Sequence, residues 1–471
     1  MQVPIDSRAT AQSGSTTTSP ANLFGISLIA ALAGFIFGFD TVVISGANLP
    51  IKELWHTSPW FHGFFIMSMA LWGTVVGALF GGLPTQKYGR KKVLLWVGIL
   101  FSVSALGSAM ANGPYLFSFF RFIGGLGIGV SSVAAPTYVS EISTPSTRGR
   151  LVAMYQFNIV FGILVAFLSN YFLQGVGGHN DWRWMLGVMA IPSLVYTLMV
   201  LSIPESPRWL VAVKQDTATA RNVMARLGMN NIDEEIQLIT ASASHEAHAD
   251  HDNRHFFSGK YKTIIWLAFF VAFFNQWSGI NFILYYAPEI LSRAGLAAKE
   301  SLFNSIAIGG TNLIFTFLGL YLIDRLGRKT LLIIGSLGYI VSLAMVAWCF
   351  YAQASAGLLM VFLLMFIAAH AIGQGAVIWV FISEIFPNKV RAVGQSFGAS
   401  VHWVFAALIT LITPVFLDEK NGIFKDNPWP IFGFFAFMMA LQLVWVLGKV
   451  PETKGVSLEE LERRLVKEGG E

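Results

Sequence analysis

Phe273-Phe274-Asn275-Gln276-Trp277-Ser278-Gly279-Ile280-Asn281, running on to Tyr285-Tyr286-Ala287-Pro288, lies in one of the most apolar parts of the chain. From Ile264 to Pro288 no side chain is charged. The stretch is therefore long enough to span a bilayer as a helix, which takes about 20 residues. Yet Asn275, Gln276 and Asn281 carry amides, which are costly in hydrocarbon unless something hydrogen-bonds them. Their spacing does not give one stripe on a helix, and Gly279 between them lets the helix loosen or bend. Amides that both donate and accept, beside an aromatic face, suit a molecule rich in hydroxyls. Polar glue between helices is the alternative. Three amides with a glycine and two tyrosines favour a lined site over glue.

The rest of the chain has the same character. Of 471 residues, 55% are hydrophobic and only 12% charged, with a mean hydropathy of +0.61. A soluble domain carries about 25% charged residues, so this is an integral membrane protein. Long apolar runs favour helices over a barrel, whose strands show only weak alternation. They recur at roughly 23–49, 61–86, 92–111, 114–141, 150–176 and 182–203, and again at 260–292, 302–324, 329–351, 356–386, 391–417 and 427–449. The expected fold is all-α: twelve transmembrane helices in two six-helix halves, 23–203 and 260–449. A cytosolic helical linker, 204–259, joins the halves. A disordered cytosolic tail, 1–22, precedes them and a cytosolic tail, 450–471, follows. Within the linker, helices are expected at Thr217–Leu227 and near Asp233–Ile239.

Lys87, Arg90, Lys91 and Lys92 follow span 2; Arg148 and Arg150 precede span 5; Arg325, Arg328 and Lys329 follow span 8; Lys389 and Arg391 follow span 10. All these loops fall on one side of a twelve-span layout. The excess of basic residues in short cytosolic loops then puts both termini in the cytosol. The net charge of +5 resides in these loops and carries no argument for nucleic acid. The single cysteine, Cys349, excludes an internal disulfide and a thiolate cluster. His245, His248, His251 and His255 invite a metal reading. A solvated stretch with no apolar neighbours to fix ligands argues against it, and neither metal nor cofactor is expected.

The halves resemble each other. Gly82–Lys91 after span 2 parallels Leu320–Lys329 after span 8, and Tyr138–Ser143 with Arg148 parallels Phe381–Phe386 with Arg391. A repeated unit with polar groups at mid-depth is the layout of a carrier that rocks around a central site. Glu141, Arg148, Arg90, Glu384, Arg391 and Arg328 are placed to form ion pairs that close the inner face in one state and break in the other. Gly124-x-x-Gly127-x-Gly129 has no preceding strand, so it reads as helix packing and not as a nucleotide loop. No nucleophile–base pair lies at membrane depth, and an enzyme is not expected.

These motifs together resemble the sugar porter family of the major facilitator superfamily across residues 23–460. They are Gly89-Arg90-Lys91, Arg121 with the following glycines, Glu141 with Arg148-Gly149-Arg150, Pro204-Glu-Ser-Pro-Arg208, Gln276-Trp-Ser-Gly279-Ile-Asn281, Asp324-Arg-Leu-Gly327-Arg328 and Pro451-Glu-Thr-Lys-Gly455. The resemblance implies a monosaccharide site between the halves. Gln156, Asn275, Gln276, Asn281 and Asn312 would bind hydroxyls, Trp379 would pack beneath the sugar, and His402-Trp403 would complete the layer. Phe37 resembles a packing aromatic and Tyr285-Tyr286 gating aromatics. The chain departs from the pattern at Asn275, where a glutamine is usual. It departs again at Gly375-Ala376, where a proline often follows the glycine; at Ala406, usually polar; and at Gln86, usually aspartate, while the symmetric Asp324 is kept.

Asp40 in span 1 and Arg121 in span 4 are full charges at depth, each costing about 2.5–3.5 kcal/mol on insertion scales. One reading is a static pair that fixes packing. In proton-coupled members of the family an acid occupies the Asp40 position, which implies a proton carrier. The expected function is import of a monosaccharide by proton symport across the cell membrane, by a monomer embedded in the lipid bilayer. A passive facilitator is the first alternative and a non-transporting sugar receptor the second.

Overall fold

The computed structural model describes residues 20–143, 147–229, 231–246, 256–257, 259–387, 389–456 and 458–465. Eleven helices among these are long and apolar enough to cross a membrane, and a bent pair, Pro59–Met67 with Met69–Phe80, makes twelve. In chain order, span 1 is Pro20–Trp55 and span 2 is the bent pair. Spans 3 to 6 are Arg90–Met110, Pro114–Ile142, Arg148–Leu173 and Gly178–Ser202. Span 7 is Lys262–Trp277 with Ile280–Arg293, and span 8 is Ala298–Leu326. Span 9 is Arg328–Tyr351, span 10 Ala356–Ile372 with Gln374–Ile385, span 11 Arg391–Leu417 and span 12 Trp429–Lys449.

Hydropathy alone makes these helices, because every backbone N–H and C=O must be satisfied within the segment in lipid. Large apolar side chains such as Phe119, Leu198 and Val444 remain exposed on the outside of the bundle, where hydrocarbon is the solvent. Small residues sit where backbones meet. A Cβ added at Gly125 in span 4 would fall 1.9 Å from the Ala70 carbonyl oxygen of span 2, so the glycine run serves helix packing.

The internal repeat is built in three dimensions. Arg90 donates from Nε and Nη2 to both oxygens of Glu141 at 2.8 and 2.7 Å, and Arg328 does the same to Glu384 at 3.0 and 2.6 Å. Glu205 accepts from the backbone N–H groups of Arg90 and Lys91, as Glu452 does from Arg328 and Lys329. Ser206 and Thr453 donate to Glu141 and Glu384, each at 2.6 Å. The start of span 3 is thus tied to the ends of spans 4 and 6, and the start of span 9 to those of spans 10 and 12. Both clusters belong to the face carrying the basic loops.

The expected gate residues Arg90, Glu141, Arg328 and Glu384 meet as inter-helix ion pairs. The Arg90–Glu141 and Arg328–Glu384 pairs each lie inside one half and do not bridge the two. Arg391 donates from Nε to the Phe386 carbonyl, also within its own half. The side chain of Arg148 lies outside the described residues.

In the linker, Pro207–Ala212, Thr217–Arg226 and Ile232–Glu246 are helical, close to the two expected segments. Ser206 and Asp216 cap the first two by accepting from the N–H groups of Trp209 and Thr219. Trp209, Leu210, Met224 and Ile239 form their small apolar core. His248, His251 and His255 lie outside the described residues, as do residues 1–19 of the expected tail.

Candidate binding cavity between the halves

Span 7 breaks where the sequence allows it. Its first helix ends at Trp277, and Gly279 takes φ +85° before the chain re-enters a helix at Ile280. In an unbroken helix, residues five apart point about 140° away from each other. The break turns Asn281 back, so that its Nδ2 donates to Gln276 Oε1 at 2.9 Å. Gln276 Nε2 in turn donates to Asn275 Oδ1 at 3.0 Å. The three amides satisfy one another as a buried chain, which removes the penalty for placing them in an apolar span.

Gln276 Nε2 also lies 3.3 and 3.1 Å from the two ring nitrogens of His402 in span 11. Nearly equal distances to both mean that the amide meets the imidazole broadside and is in line with neither lone pair. The Trp379 ring centroid stands 4.9 Å from that of His402, tilted by 54°, while Trp403 meets the same imidazole edge-on at 4.8 Å.

These groups wall a cavity of about 120 Å³ that opens to solvent. Gln156 and Phe37 reach it from the first half; Asn275, Gln276, Asn281, Asn312, His402 and Trp403 reach it from the second. Eight of the nine expected binding residues therefore share one wall. Trp379 does not line it; it leans on His402 from outside the lining and is 38% exposed. Thr41, Thr316 and His370 also line the cavity and were not expected. A lone threonine or histidine in an apolar run has no spacing signal to separate it from packing.

Asp40 is fully buried, and Arg121 donates to its Oδ1 at 2.5 Å and to its backbone carbonyl at 3.2 Å. Asp40 Oδ2 and Arg121 Nε have no hydrogen-bond partner among the described residues. Buried Tyr285 extends from span 7 into the neighbourhood of Asp40, Arg121 and Thr41. Its neighbour Tyr286 donates to the Thr410 carbonyl of span 11 at 2.8 Å, at a kink where its own backbone leaves helical geometry. The broken span thus reaches both the charged pair and span 11.

Beyond Tyr286, on the face opposite the basic loops, the halves are joined by charge. Lys52 at the end of span 1 pairs with Asp418 after span 11 and lies 3.8 Å from Glu289 of span 7. Asn48 donates to Glu289 at 2.7 Å, His62 Nε2 to Asn48 Oδ1 at 2.8 Å, and Thr57 Oγ1 meets the remaining His62 nitrogen at 2.8 Å. Asn48 Oδ1 can only accept, so Nε2 of His62 carries a proton. Burial works to raise the Asp418 carboxyl, but hydrogen bonds from Lys52, Asn421 and Lys420 outweigh it and hold it below its ordinary range. On the basic face, the Arg90–Glu141 and Arg328–Glu384 pairs each stay within one half.

The family model described as sugar (and other) transporter matches residues 26–465. The arabinose-proton symporter of Bacillus subtilis is 34% identical over 449 residues, covering 94% of this chain and 95% of that protein. The inward open conformation of the xylose transporter XylE from E. coli has a TM-score of 0.81 at 31% identity, covering 94% of this chain and all of that one. XylE described as a proton:xylose symporter bound to 6-bromo-6-deoxy-D-glucose scores 0.76 at 30% identity, covering 94% and 99%. Of these two forms the chain is more similar to the inward open one, in keeping with the Lys52 contacts that join the halves on the face opposite the basic loops.

Proposed function

The chain belongs to the sugar (and other) transporter family, and on that premise we propose that it imports a monosaccharide by proton symport, with alternating access. The basic face is cytosolic by the positive-inside rule, so the Lys52 contacts close the outside. The observation that carries the coupling is the state of Asp40. Its carboxylate is fully buried, is held through one oxygen by Arg121, and keeps its other oxygen, Oδ2, free of protein partners. Oδ2 is thus an oxygen on which a proton can sit without displacing a protein hydrogen bond.

In this account, protonation at Oδ2 neutralises Asp40 and weakens its hold on Arg121. The outer contacts part, and a sugar entering from outside exchanges its hydroxyls for the hydrogen bonds among Asn275, Gln276 and Asn281. Tyr285 lies beside both the pair and the broken span, so the charge state of Asp40 and the position of the second helix of span 7 bias each other. Closure outside opens the cytosolic side. The proton then leaves, Arg121 pairs again with Asp40, and sugar leaves. The geometry described above corresponds to that last arrangement, with the charged pair formed and the outside closed.

The test is uptake of labelled L-arabinose, D-xylose, D-glucose and D-galactose into vesicles holding the purified protein. At least one is expected to accumulate above its external concentration when the outside is acidic, and to fall to equilibrium when a protonophore is added. Equilibration at the same level with and without the gradient would identify a passive facilitator.

A further inference from the structure

One polar group of the cavity belongs neither to the amide chain nor to any motif. His370 lies in span 10, three residues before the break at Gly373, in the apolar run Ala368-Ala369-His370-Ala371. Its Nδ1 is 2.6 Å from the hydroxyl of Tyr339, a fully buried residue of span 9. The Tyr339 ring packs 5.2 Å from that of Phe366. The imidazole is therefore held by a partner that cannot itself move. Its opposite edge runs along Gly375, where an added Cβ would come within 3.2 Å of both Cδ2 and Nε2. Glycine at that position leaves the edge uncovered, and His370 and Gly375 together form part of the cavity wall. Among the described residues, Tyr339 is the hydrogen-bond partner of the ring, and Nε2 carries none.

We infer that His370 is a specificity-determining residue of the cavity, its Nε2 forming a hydrogen bond to one ring hydroxyl of the bound monosaccharide from the span 10 side. The inference rests on the transport reading above. With Nδ1 engaged by Tyr339, the imidazole offers a single function at Nε2, a donor in one tautomer and an acceptor in the other. A sugar hydroxyl satisfies either, whereas a ring position carrying only C–H satisfies neither. A site built to bond a hydroxyl rejects the analogue that lacks it, because the site's own polar group is left unpaired. Tyr339 acts through His370 as a positioning residue and does not reach the sugar.

The experiment uses the full-length protein purified in detergent. Binding of D-xylose, D-glucose, D-galactose and L-arabinose is measured by calorimetry, followed by the series of single-position deoxy analogues of whichever binds tightest. In the wild type, one ring position is expected to stand out, its deoxygenation weakening binding about tenfold or more. His370→Phe, close in shape but without hydrogen-bonding nitrogens, is expected to reduce that one penalty to within about twofold while the penalties at other positions persist. His370→Gln, which retains a polar end, is expected to restore part of it and serves if the Phe variant does not fold. Tyr339→Phe is expected to shrink the same penalty without removing it.

A His370→Phe or His370→Gln protein that keeps every positional penalty, weakening all sugars alike or none, would overturn the inference and make His370 a packing residue. That result leaves the transport reading standing. Failure of the wild type to bind any of the four sugars would instead overturn the transport reading, and this inference with it.

Discussion

Asn281 Nδ2 donates to Gln276 Oε1 at 2.9 Å across the helix break at Gly279. Each amide of the chain is thus the satisfied partner of the next. Asn281→Ala leaves Gln276 Oε1 without a donor, and Gln276→Ala removes the link that reaches both Asn275 and His402. Each variant is expected to lose about 1–3 kcal/mol of sugar binding, roughly five- to 150-fold in affinity, while remaining folded. Calorimetry alongside a thermal melt separates the two effects. Near-normal affinity in both variants would sink the assignment of span 7 as cavity lining.

The break itself is a second point of attack. Gly279 sits at φ +85°, and an added Cβ would lie 2.7 Å from the Phe435 ring. Gly279→Ala therefore meets backbone strain of order 1–3 kcal/mol as well as a clash. The expected result is a lower melting temperature together with sugar affinity reduced at least as far as in Asn281→Ala. A variant with native melting and native affinity would show that the amide arrangement does not need the break.

Much of the fold was legible because the bilayer leaves the chain few choices. A run such as Ile264–Pro288 has to be a helix, and Gly89-Arg90-Lys91 repeated at Gly327-Arg328-Lys329 gives away the duplication. The amides were legible because polar groups in such a run need a reason. Other features were hidden by distance. Lys52 and Asp418 are 366 positions apart in the chain, and Glu289 falls one residue beyond the uncharged stretch that drew attention. Their contact is a tertiary one, made where the two halves meet. His370 was hidden by its surroundings, since one histidine among alanines is compatible with ordinary packing. Distance also hid the ties around the inner-face pair: Ser206 reaches Glu141 from 65 positions away and Glu205 reaches Arg90 from 115.

The outer contact yields a prediction about conformation. Lys52→Gln keeps the length of the side chain roughly and removes the cation that Asp418 and Glu289 share. Loss of one partner from a buried ion pair costs about 3–5 kcal/mol at the buried limit, and here that cost falls only on the state closed to the outside. The variant is expected to shift toward the outward-open state, read as increased labelling of single-cysteine reporters on the outer side of the cavity in a Cys349→Ala background. Unchanged labelling would make the contact incidental. Asp418 is held below its ordinary pKa, so its contribution is complete above about pH 3.9 and fades only as pH falls below that. Mild external acidity therefore leaves this contact intact.

The broken symmetry at Gln86 gives a weaker effect of predictable sign. In the second half, Asp324 lies four residues before Arg328 and reaches its Nη1 at 3.2 Å. In the first half, Gln86 is four residues before Arg90, with its side chain exposed and its backbone carbonyl accepting from Trp209. Gln86→Asp is expected to complete the match, and at an exposed position the added pair is worth about 0–1 kcal/mol. The melting temperature is expected to rise slightly at low salt, and the reporters to shift modestly toward the outward-open state. A destabilised protein would contradict the parallel between the two clusters.

The central claim is that Asp40 carries the proton, and the most direct measurement compares exchange with accumulation in Asp40→Asn. The substitution preserves the shape of the group and mimics its protonated form, but it cannot release a proton to reset the carrier. Vesicles containing the variant are expected to exchange labelled for unlabelled sugar across the membrane at a rate comparable to wild type. They are expected not to accumulate sugar against a gradient when the outside is made acidic. Full proton-driven accumulation by Asp40→Asn would contradict the account, leaving Asp40 as a structural partner of Arg121 and placing any coupling elsewhere.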